Sequence, residues 1–172
     1  KATFCRLRTM RIPAEAVLGR DGVGLADCAI AESKFEKGED ISPRMLPLVQ
    51  RMNDIRREGT PDIEFAANGL LARSLLASRQ SEDARKTITD LRRQFDKREL
   101  TRFLPNMDAM LCRIALRTGD LDEADAWYRA KAPREPTHIN ILKRYQYFTQ
   151  AMVELANGKP DSALLTLTPM EP

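Results

Sequence analysis

Histidine occurs once in the 172 residues, as His138. That excludes a histidine-rich metal site. A Ser-His-Asp triad would have to use this one residue, and no Gly-x-Ser-x-Gly elbow is present to carry its serine. Valine occurs only four times, and β-branched clusters bounded by turns are missing, which argues against a sheet protein. The three cysteines, Cys5, Cys28 and Cys112, lie far apart and are odd in number. They fit reduced thiols in a cytoplasm better than a disulfide framework, and no pair has metal-ligand spacing. No apolar run exceeds four residues, as in Cys28–Ala31 and Ala109–Cys112, whereas a membrane span needs about 20. There is little excess of one charge: 28 Lys and Arg stand against 25 Asp and Glu, a net +3. A nucleic-acid surface is not implied by so small a surplus. No signal-peptide pattern opens the chain and it does not begin with Met, so a segment of a longer protein is expected.

What is abundant is helix former. Ala, Leu and Arg each occur 20 times. A chain of this length can bury roughly 70% of its unfolded surface without staples. Ala2 to Met10 suits a short N-terminal helix, and Gly19, Gly22 and Gly24 mark a loop. Apolar spacing then predicts helices over Leu25–Lys37, from Pro43 to about Glu58 with Ser42 as N-cap, Asp62–Arg79, Ser81–Arg98 and Thr101–Thr118. Three more follow, over Leu121–Ala130, Thr137–Asn157 and from Pro160 to the end. Asp120 caps the Leu121 helix, with Glu123 at the capping-box position.

These helices repeat in pairs. Aligned on Gly38, Arg79, Gly119 and Gly158, the turns are 41, 40 and 39 residues apart. Seven residues before each anchor stands a small side chain: Ala31, Ala72, Cys112, Ala151. Three before stands a large apolar one: Phe35, Leu76, Leu116, Leu155. Five after, Ala84, Ala124 and Ala163 recur, with Pro43 the exception. Small residues where helices cross and large ones where they interdigitate are what antiparallel pairing needs. The repeats run over about 25–58, 62–98, 101–131 and 136–168, within a single domain spanning 1–172.

The small-then-large spacing, the Gly119-Asp120 turn and the alanine after it resemble tetratricopeptide repeats, although the usual period is about 34 residues. Longer, irregular repeats of this kind resemble the sensor region of bacterial LuxR-family transcriptional regulators of the MalT type. The resemblance covers about Leu25 to Leu167. It implies an all-α, right-handed superhelix of about four antiparallel helix pairs plus an N-terminal helix. It also implies a module that binds a small effector, or a protein or peptide, in its concave groove and signals to regions outside this chain. In that family ATP is used by a separate NTPase region, and DNA is read by a separate helix-turn-helix. No cofactor is expected in this segment. The other reading is a stand-alone adaptor for protein partners.

Stacked helix pairs line their groove with the first helix of each pair. By resemblance to tetratricopeptide geometry, the positions six and thirteen before each anchor face it. These positions include Glu32, Arg73, Arg113 and Met152, and Asn106 and Tyr145; Arg117 lies nearby. Two guanidiniums one repeat apart would suit an anionic partner. The remaining motifs read as structure. Gly19–Gly24 lacks the Lys-Ser/Thr of a phosphate loop and the strand of a dinucleotide fold. Gly119–Asp125 lacks the glycine and glutamate of a calcium loop. The cations of 85–102 alternate with acids, as on a solvated, salt-bridged helix. Cys112 occupies a small-residue position and reads as packing. No catalytic constellation emerges, so an enzyme is not expected.

Overall fold

The computed structural model describes residues 25–41, 43, 45, 61–134 and 141–170. Among them the fold is all-α, with seven α-helices and no strand: α1 Leu25–Glu36, α2 Pro61–Ala77, α3 Ser81–Lys97, α4 Leu104–Thr118, α5 Leu121–Lys131, α6 Ile141–Ala156 and α7 Pro160–Leu167. The expected helix at Ala2–Met10, the glycine loop, the helix to Glu58 beyond Met45, and His138 lie outside the described residues.

Proline adjusts two boundaries. The expected start at Thr101 is a 3-10 turn, Thr101–Phe103, and α4 begins at Leu104. Pro105 has no N–H to offer the Thr101 carbonyl, which accepts from the Leu104 amide instead. At the other end, Pro169 cannot extend α7, and Thr168–Met170 tightens into a second 3-10 turn.

The four anchors share one backbone conformation. Gly38, Arg79, Gly119 and Gly158 all have positive φ, between 63° and 82°. Each ends its helix by the same pair of bonds. At Gly119, its own N–H donates to Leu116 O and the following Asp120 N–H to Ala115 O; at Arg79, the partners are Leu76 O and, from Gln80, Leu75 O. The small residues before the anchors (Ala31, Ala72, Cys112, Ala151) and the alanines after them (Ala84, Ala124, Ala163) are all buried.

The described residues fall into two compact units divided after Ser74, inside α2. In the first, Arg73 of α2 reaches two carboxylates of α1, and Ser74 Oγ donates to Asp40. In the second, α3 buries Ala84, Ile88, Leu91 and Phe95 on one stripe. Each large apolar side chain on such a stripe contributes about 1.5–3 kcal/mol. Phe95 meets Phe103 edge to face at 5.2 Å. A core then forms from Ala109, Cys112 and Ala115 of α4, Ala124 and Trp127 of α5, and Val153 of α6.

Candidate functional site

In the first unit, Glu32 and Arg73 come together. The Arg73 guanidinium donates to Glu32 at 3.2 Å and to Glu36 at 2.6 Å, and lies 4.7 Å from the Phe35 ring centroid. One cation is thus shared by two exposed carboxylates. An exposed pair of this kind adds at most about 1 kcal/mol, so a ligand could displace it cheaply.

In the second unit, α4 supplies Asn106, Arg113 and Arg117, and α6 supplies Tyr145 and Met152. Asn106 is buried, and its Oδ1 accepts from Gln146 Nε2 at 2.8 Å. Arg113 Nε donates to Thr149 Oγ1 at 2.8 Å and its Nη2 to the Tyr145 carbonyl at 3.2 Å. The same guanidinium stacks 3.8 Å from the Tyr145 ring centroid. It is therefore fixed by α6, with one face against an aromatic ring. Arg117 and Met152 are exposed. Sequence spacing brings Asn106, Arg113 and Tyr145 into one cluster, but it does not reveal Gln146 and Thr149, which hold them. Those two partners lie 40 and 36 residues beyond Asn106 and Arg113. One repeat period therefore places α4 and α6 side by side and parallel.

Ion pairs reinforce the second helices. Arg85 of α3 pairs with Glu123 of α5 at 2.8 Å. This hydrogen bond, the largest influence on Arg85, holds its pKa above the ordinary value. Glu123 thus spends its carboxylate on Arg85, while the cap itself forms: Asp120 accepts from the Glu123 amide at 3.0 Å. Asp108 takes Arg92 at 2.7 Å and Lys131 at 3.0 Å, and the Arg92 pKa is raised chiefly by that bond. Much of the cation-rich helix face is therefore engaged within the fold.

A second polar cluster was not visible in the sequence. Glu154 of α6 is 3% exposed. Its carboxylate accepts from Tyr128 Oη at 2.9 Å, Thr166 Oγ1 at 2.9 Å and Gln150 Nε2 at 3.2 Å. Burial and then the Glu154 bond push the Tyr128 phenol above its ordinary pKa.

An apolar stripe also stands open. Phe148, Met152 and Leu155 of α6 are exposed, as are Leu164 and Leu165 of α7 at 68% and 73%. Among the described residues there is no cluster of three or more His, Cys, Asp or Glu able to hold a metal, and no helix long and apolar enough to cross a membrane. Compared with known protein families, curated proteins and solved structures, the chain matches no family model, no curated protein and no structure.

Proposed function

We propose that this chain is a helical-repeat binding module: a right-handed superhelix of tetratricopeptide-like pairs that senses an effector for a LuxR-family, MalT-type regulator. The observation that carries the reading is the recurrence of side-chain bonds at or within a helical turn of the repeat period. Glu32–Arg73, Asn106–Gln146 and Arg113–Thr149 join residues 41, 40 and 36 apart. An isolated helix pair cannot bury its apolar face, so neighbouring pairs complete one another. In such a stack the first helices line the groove. Arg117 and Met152 are open to a ligand there, while Arg113 and Asn106 hold the wall in place.

An effector acts by binding one arrangement of the larger protein better than another. ATP use and DNA reading belong to regions outside this chain. The deciding experiment is to read the coding sequence on both sides. A nucleotide-binding loop upstream and a helix-turn-helix downstream are expected. Stop codons close to both ends would overturn the regulator reading. They would leave the adaptor, which the exposed stripe of Phe148, Met152 and Leu155 favours, because a protein partner would cover it.

A further inference from the structure

A half-open cavity of about 330 Å³ lies in the second unit, lined by Asp125, Tyr128 and Arg129 of α5 and by Glu154, Asn157 and Lys159 around the end of α6. That is the lower end of the range in which small-molecule sites fall, about 300–1,000 Å³.

The lining carries two acids and two bases, and they do not neutralise one another. Among the described residues, neither Arg129 nor Lys159 forms an ion pair, and both are exposed. Arg129 Nε makes only a 3.4 Å contact with the Asp125 carbonyl. Asp125 Oδ1 accepts from Asn157 Nδ2, a neutral donor. Glu154 is buried, and all three of its donors, Tyr128, Thr166 and Gln150, are neutral. A buried carboxylate without a cation is costly. It also has room for one more donor, since a carboxylate offers about four acceptor positions and three are filled. Two long cationic side chains line the same cavity, and neither donates to Glu154.

We propose that this cavity binds a small zwitterion of the free amino acid class. The ligand's ammonium group meets Glu154 and Asp125, where a charge-assisted bond joins the neutral ones. Its carboxylate is held by Arg129 and Lys159. The lining's formal charges sum to zero, which matches a ligand bearing both signs and disfavours one bearing a single sign. The site stands on the second unit alone and is independent of the regulator reading.

The test is calorimetric titration of the full chain with the twenty free amino acids. Each is compared with its N-acetyl form, which removes the cation, and its methyl ester, which removes the anion. Saturable one-site binding of at least one free amino acid is expected, with both derivatives at least about tenfold weaker, equal to about 1.4 kcal/mol. Arg129→Ala and Lys159→Ala sit on the exposed rim, so the fold tolerates them, and each should weaken binding about tenfold. Glu154→Gln should abolish it. Absence of saturable binding by every free amino acid up to about 10 mM would overturn the proposal. So would derivatives that bind as well as their parents, or binding that survives both rim variants.

Discussion

Cys112 is 1% exposed in the α4–α5–α6 core, and burial is the main cause lifting its thiol from 9.0 to about 12. The folded chain holds this proton more tightly than the unfolded chain does. The stability it contributes is therefore complete below pH 9.0, and it is lost as pH rises through that value towards about 12. Denaturant midpoints measured at increasing pH should fall across this window, and should fall less in Cys112→Ala; identical slopes would contradict the assignment. Tyr128, also raised, adds loss in the same direction above its ordinary value of 10.0. Ala163 and its two neighbours give the opposite contrast. Ala163 is 2% exposed, while Leu164 and Leu165 are open. Leu164→Ser and Leu165→Ser should each change stability by less than about 0.5 kcal/mol, whereas Ala163→Leu should cost about 1–3 kcal/mol by overpacking. Urea midpoints decide it. Cys112 and Ala163 were legible because both fall on the small-residue positions of the repeat. Glu154 was not, because a glutamate two residues from the end of its helix looks like any surface acid until its partners are placed.

The helices end by a common device whose sequence identity varies. Gly119 and Arg79 hold equivalent left-handed positions, at φ 82° and 63°. A Cβ on Gly119 would meet nothing within 4 Å, so Gly119→Ala is penalised by backbone conformation alone. It should cost about 1–2 kcal/mol. Arg79 already bears that strain and its side chain is exposed, so Arg79→Gly should stabilise the chain by about 0.5 kcal/mol once glycine's extra unfolded-state entropy is subtracted. Thermal melts of the two variants should move in opposite directions; movement in the same direction would show that the anchors are not equivalent. The helix ends were largely readable because glycine and capping residues mark them. The start of α4 was missed by three residues because Pro105 removes the donor that an α-turn over Thr101 requires. Periodicity of apolar residues does not register a missing N–H.

The repeat period is written in the sequence as buried small side chains, and it reappears as bonds between helices. The identity of those bonds could not be read in advance. Arg113 was a candidate groove position, and its guanidinium stacks on Tyr145 and donates to Thr149, a partner that the spacing did not reveal. Which polar partner satisfies a side chain depends on the rotation and rise of the neighbouring helix, and apolar spacing fixes these only to within about a turn. The central claim is that α4 and α6, the first helices of two successive pairs, lie parallel and in contact at this spacing. Nuclear Overhauser spectroscopy on the labelled chain tests it most directly. Arg113 side-chain protons should show cross-peaks to the Tyr145 ring and to Thr149, and should be shifted upfield by the ring 3.8 Å away. The Asn106 and Gln146 side-chain amides should also connect. Arg113 resonances at unperturbed positions, with no cross-peak to α6, would contradict the account.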